Sequence, residues 1–73
     1  MTTTNETTRR ALDHVARCSA DFASAMVARD AIADCTSAEW RLAHAVARTA
    51  GSAKTNAFDH AYRVGALPKP YWA

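Results

Sequence analysis

The apolar positions in the first half of the chain fall at helical spacing. From Arg9 to about Cys35 there is neither Gly nor Pro, and Leu12, Val15, Cys18, Phe22, Ala25 or Met26, and Ile32 recur three, four and seven residues apart. Those intervals gather them into one stripe on a helix. Thr7 or Thr8 supplies an N-cap oxygen. Arg29 and Asp30 interrupt the stripe near its end, so the helix either runs on past the core or bends and breaks near Ala28 to Ala31. Thr36-Ser37 is the next start signal, because a hydroxyl oxygen there accepts from the unpaired N–H groups of a first turn. A second helix then passes through Trp40, Ala43, Val46 and Ala47 to about Thr49, with Glu39 near its positive end. Gly51-Ser52 ends that helix, Ser52 caps a third from Ala53 to about Val64, and Gly65 closes it.

Beyond Gly65 the chain reads Ala66-Leu67-Pro68-Lys69-Pro70-Tyr71-Trp72-Ala73. Each proline lacks an N–H and restrains the residue before it, so Leu67 to Tyr71 is expected to be extended. The expected fold is therefore all-α. It is a small three-helix domain over residues 8–65: a long N-terminal helix, then a helix-turn-helix-like pair. A disordered N-terminal tail, 1–7, and an extended Pro/aromatic C-terminal tail, 66–73, flank it.

Length limits how much this fold can bury. A chain of 73 residues makes one small domain, and a domain of that size hides only about 60% of the surface its unfolded chain exposes. Apolar residues make up 49%, but many are alanines, which favour helix and contribute little burial each. Stabilisation by a partner or a second copy is the expectation that follows. No run approaches the roughly 20 apolar residues that span a bilayer, and MTTTNETT has no basic-then-apolar leader pattern. The expected setting is cytoplasmic, away from membranes.

The stretch from Ala43 to Arg63 carries a more specific signal. Ala47 is a small residue where one helix would cross another, and Gly51 follows four residues later where the backbone would leave the first helix. With Val46, Ala50, Ala57 and Ala61 facing inward, the stretch resembles the helix-turn-helix DNA-binding families, in particular small phage and bacterial regulators. Gly65-Ala66-Leu67-Pro68 followed by aromatics is similar to what several small phage regulators carry after the recognition helix. Ala28-Arg29-Asp30-Ala31-Ile32 is similar to the charged, alanine-rich helix that precedes the motif in high-GC bacteria and their phages. Ser52 and His60 depart from the family pattern, and a register shifted by one residue would bury Phe58 and Tyr62 in place of Ala57 and Ala61.

The resemblance implies a transcriptional regulator that reads double-stranded DNA through its third helix. Lys54, Thr55 and Asn56 would enter the major groove, while Ser52, Arg48 and Arg63 would meet phosphates. A unit this small would need a homodimer for specific binding. Charge is consistent in sign: residues 8–35 carry four arginines against four aspartates, and residues 36–73 carry five cations against two carboxylates. The sequence pI is 8.8, just below the value of about 9 typical of strongly basic nucleic-acid binders.

Other chemistries find little support. Cys18 and Cys35 are about 25 Å apart if they share one helix, too far to bridge. They are expected to be free and mostly buried. His14 and Cys18 could form half of a zinc site, but no second pair completes it, so no metal or cofactor is expected. His44 and His60 could approach each other across the second and third helices. No nucleophile, base and orienting group stand at a recognisable spacing, and an enzyme is not expected. The alternative to DNA binding is a non-enzymatic helical adaptor or inhibitor that docks on a protein partner through Phe22 and Met26 or through Tyr71 and Trp72. Self-pairing as an oligomeric structural component is a further option.

Overall fold

The structure is a computed structural model that describes residues 2–68, with side chains described from Glu6 onward. Among the described residues there are two helices and no strand: α1, Thr2–Asp30, and α2, Ala38–Arg63. Residues 31–37 connect them. Phe22 meets Gly51, and Arg29 meets His44 and Trp40. Contacts whose residue numbers rise on one helix as they fall on the other define an antiparallel hairpin. The molecule is accordingly long and thin, 51 × 26 × 13 Å.

Three expected boundaries are corrected. α1 begins at Thr2, so the residues expected to form a disordered tail, 1–7, include its opening turns from Thr2 onward. Glu6 Oε1 accepts from Arg10 Nη2 at 3.0 Å, the i,i+4 pairing that only a helix sets up. α1 ends at Asp30, near the possible break at Ala28 to Ala31 and short of Cys35. Competition for the backbone ends it, without Gly or Pro. Asp34 Oδ1 accepts from the Thr36 hydroxyl at 2.6 Å and the Thr36 N–H at 2.9 Å, and Asp34 O accepts from the Ser37 hydroxyl at 2.8 Å. These local bonds replace the helical ladder. Ser37 Oγ in turn accepts from the Trp40 N–H at 3.1 Å, so one hydroxyl closes the turn and caps α2.

The third correction concerns the helix count. α2 runs without interruption through Gly51-Ser52, and the expected second and third helices are one. Glycine in a helix interior costs about 1 kcal/mol relative to alanine but does not forbid the ladder. The Gly65 end forms as expected. Gly65 takes φ +76°, its N–H reaches Tyr62 O at 3.2 Å, and the Ala66 N–H reaches Ala61 O at 2.9 Å. That paired pattern is a Schellman close. The Leu67 N–H also reaches Ala61 O at 3.3 Å, so Ala66 and Leu67, expected to be extended, fold back on the end of α2; the expected tail from Lys69 onward, including Tyr71 and Trp72, lies outside the described residues.

The seam between the helices is built from small side chains. Ala11, Cys18 and Ala25 of α1 and Ala47, Ala57 and Ala61 of α2 are the buried residues, Ala61 completely. On α1 they recur every seven residues, so one seam always faces α2. The inward placement of Ala47, Ala57 and Ala61 matches the sequence pattern. Phe58 and Tyr62 flank the seam half-buried, so the alternative register is not adopted. Val46, expected inside, is 60% exposed, because adjacent helix positions point about 100° apart and its neighbour Ala47 takes the seam. Leu12, expected on the core stripe of α1, stands at its exposed edge. A buried methyl contributes about 0.8 kcal/mol, so six small buried residues make a thin core.

Candidate interaction site

The continuous helix relocates every expected DNA-contacting residue. Arg48, Ser52, Lys54, Thr55, Asn56 and Arg63 all lie on α2, where no turn separates a positioning helix from a recognition helix. Arg48, Ser52, Thr55 and Asn56 are exposed, whereas Lys54 is half-buried. Its Nζ sits 5.1 Å from the centre of the Phe22 ring and 6.0 Å from that of Phe58, within cation–π range of both. Arg63 Nη2 pairs with Asp59 Oδ2 at 2.9 Å, which partly neutralises the charge expected to meet phosphate. Thr55 Oγ1 donates back to Gly51 O at 3.1 Å.

Arg48, Ser52, Lys54, Thr55 and Asn56, but not Arg63, line one open groove. Phe22 enters from α1, and Arg48, Gly51, Lys54, Phe58 and Tyr62 contribute from α2. Gly51 is what makes the groove possible. A Cβ there would lie 3.1 Å from Phe22 Cε1, so the absence of a side chain lets the ring lie against the α2 backbone. Phe58 and Tyr62 are neighbours one turn apart, ring centres 6.4 Å apart. The floor is aromatic, and cations stand over it and at its rim.

Of the residues expected to bind a protein partner, Phe22 lines this groove. Met26, one turn further along α1, is half-buried. Tyr71 and Trp72 lie outside the described residues. Sequence reading passed over the joint role of Gly51, Phe58 and Tyr62. Their spacing, with Lys54 and Thr55 between, marks one face of an unbroken helix.

A second cluster closes the hairpin near its turn. Trp40 and His44 stack with ring centres 4.7 Å apart and planes 10° from parallel. Arg29 Cζ lies 5.9 Å from the Trp40 ring centre, and its Nη1 is 3.2 Å from His44 Nδ1. The guanidinium also pairs with Asp30 at 3.1 Å. His44 is thereby engaged within α2 and with α1. It is 16 positions from His60 on the same helix, about 24 Å at the helical rise, so the expected approach of the two histidines does not occur.

The cysteines are both free, Cys18 buried and Cys35 exposed in the connection, so the expectation of burial fails for Cys35. Cys18 Sγ lies 3.8 Å from the His14 ring nitrogens. Among the described residues no three His, Cys, Asp or Glu side chains converge in a metal-binding group, and no helix is long and apolar enough to cross a membrane. No family model, curated protein or solved structure matches this chain.

Proposed function

We propose that the chain is a non-enzymatic helical adaptor or inhibitor that captures an amphipathic segment of a partner protein. The groove over Phe22 and Gly51 carries this reading. A partner helix laid along it would set its apolar side on Phe22, Phe58 and Tyr62 and bring a carboxylate to Lys54 or Arg48, completing a three-helix bundle. The thin alanine seam supports the same reading, since a hairpin with so little buried surface gains stability from a third helix.

A second reading keeps double-stranded DNA as the partner. It rests on Arg41, Arg48 and Thr55, exposed at intervals of seven along α2. In that reading one straight helix presents cations and hydroxyls to a groove, and two copies supply specificity as a transcriptional regulator. The test compares purified wild-type and Lys54→Glu protein in two assays. One is partner capture from extracts of the source cell, with circular dichroism as the folding control. The other is duplex-DNA binding across a salt series. Capture of one protein by wild type and its loss in Lys54→Glu at unchanged helix content supports the adaptor. DNA affinity that falls steeply with salt and disappears in Arg48→Glu, without any protein captured, overturns it in favour of the second reading.

A further inference from the structure

The N–H groups of Ala66 and Leu67 converge on Ala61 O, at 2.9 and 3.3 Å. The chain therefore leaves α2 beside Ala61, a residue of the seam, and next to Tyr62 at the near end of the aromatic groove. From there the groove runs back along α2 through Phe58 and Lys54 to Gly51, where Phe22 of α1 lies against it. At the helical rise, Lys54 is about 10 Å and Gly51 about 15 Å from Ala61. The sequence after Leu67 is Pro68-Lys69-Pro70-Tyr71-Trp72-Ala73, of which Lys69 onward lies outside the described residues. An extended, proline-set chain advances about 3.1 Å per residue, a reach of about 12 Å from Leu67 to Tyr71 and about 16 Å to Trp72.

We propose that the groove is the docking site of this chain's own tail, residues 68–73, laid back along α2 with Tyr71 and Trp72 over Lys54, Gly51 and Phe22. Reach selects the occupant, because the two aromatic residues of the tail come level with the part of the groove that Gly51 opens. The chemistry agrees. Proline-rich segments dock on aromatic-lined grooves, their extended form being set before they bind. Pro68 and Pro70 have no N–H, so fewer donors lose water when the segment covers Phe58 and Tyr62. The groove cations Arg48 and Lys54 find in Tyr71 and Trp72 the ring faces that attract a cation, indole above all.

Tethering makes even a weak contact effective, since a short linker holds the segment at an effective concentration of about 1 mM. The tail is then a strap over the site that a partner segment has to displace. That consequence rests on the adaptor reading, whereas the docking of the tail does not.

The experiment is acrylamide quenching of Trp72 fluorescence in the full chain carrying Trp40→Phe, which leaves Trp72 as the sole tryptophan, with helix content followed by circular dichroism. A synthetic peptide of residues 67–73 is the reference for an undocked ring. Trp72 is expected to be quenched at least about twofold less than in the peptide, the protection that follows when a tether of about 1 mM effective concentration half-fills a site of equal affinity. Phe22→Ala is expected to return quenching to the level of the peptide. Tyr62→Ala removes a second ring of the groove and is expected to act in the same direction, which keeps the test decisive if Phe22→Ala loses helix content. Trp72 as quenched in the chain as in the peptide, or equally protected in both groove variants, would overturn the proposal. Protection that grows with protein concentration would place the tail in another copy's groove and overturn it as well. No partner takes part in this measurement, so the two readings fail in different assays: loss of protection sinks the strap, and absence of capture sinks the adaptor.

Discussion

Gly51 and Phe22 are matched across the hairpin: the edge of the ring lies where a Cβ on residue 51 would have its nearest neighbour, 3.1 Å away. Gly51→Ala therefore has two opposed effects. It gains about 1 kcal/mol of helix propensity and forces the ring to move. In a Phe22→Ala background only the gain remains. Gly51→Ala is expected to stabilise the Phe22→Ala protein by about 0.5–1 kcal/mol more than it stabilises wild type, measured by urea unfolding in a double-mutant cycle. Equal effects in both backgrounds would show that the ring does not depend on the glycine.

Ala61 has no exposed surface and stands where the helices meet. Enlarging it must push the helices apart or force a strained rotamer, at a cost of about 1–3 kcal/mol. Ala61→Leu is expected to lower the urea midpoint accordingly, although leucine is a good helix former and adds apolar surface. Ala53→Leu, on the exposed side of the same helix, serves as the control and should not destabilise the monomer. A stable Ala61→Leu hairpin would mean that the seam is looser than its small residues indicate.

Arg29 is the tie between the end of α1 and the start of α2. Its side chain is 19% exposed, and its guanidinium faces the Trp40 ring and His44 Nδ1. Arg29→Ala removes a cation–π contact and a packed aliphatic stem, together worth about 1–2 kcal/mol. Arg29→Lys keeps the charge but not the planar fork, and is expected to recover only part of that loss. Thermal unfolding of the three proteins orders them wild type, Lys, Ala. Identical midpoints would place the hairpin's stability elsewhere.

The connection titrates. The Thr36 hydroxyl, and after it the Thr36 N–H, hold the exposed Asp34 carboxyl below its ordinary value of 3.8. A carboxylate whose folded pKa is depressed stabilises the fold above the unfolded pKa, and that contribution is lost as pH falls through the folded pKa. The stabilisation from Asp34 is thus complete near neutral pH and disappears below about pH 4. Thr36→Val removes the hydroxyl and keeps the N–H. By NMR titration its Asp34 pKa is expected to rise toward the ordinary value; a value unchanged from wild type would show that the hydroxyl is not the cause.

Ser37 carries the start of α2 on one oxygen, accepting from the Trp40 N–H and donating to Asp34 O. Ser37→Ala is expected to cost about 1 kcal/mol. Ser37→Asp restores the acceptor and favours the positive helix end, but cannot donate to Asp34 O, so it should recover part of the loss. Equilibrium unfolding of the two variants checks the order.

Helical class, the Ser37 start, the Gly65 stop and the inward placement of Ala47, Ala57 and Ala61 were all legible in the sequence. Each rests on a local cause: side-chain period, an oxygen positioned to cap a first turn, a residue free to take positive φ. What Gly51-Ser52 does could not be decided locally, because glycine weakens a helix without ending it and serine fits a cap or an exposed helix position equally well. α1 shows the converse, stopping at Asp30 without a breaker because Asp34, Thr36 and Ser37 bond to one another. The pairing of α1 with α2 decided what Gly51-Ser52 does. Laying Phe22 on Gly51 rewards an unbroken second helix, and the pairing sets Phe22 of α1 beside Lys54, Phe58 and Tyr62 of α2 in one groove. Residues far apart in the chain share that surface, so its shape is a tertiary property that no single stretch of sequence contains.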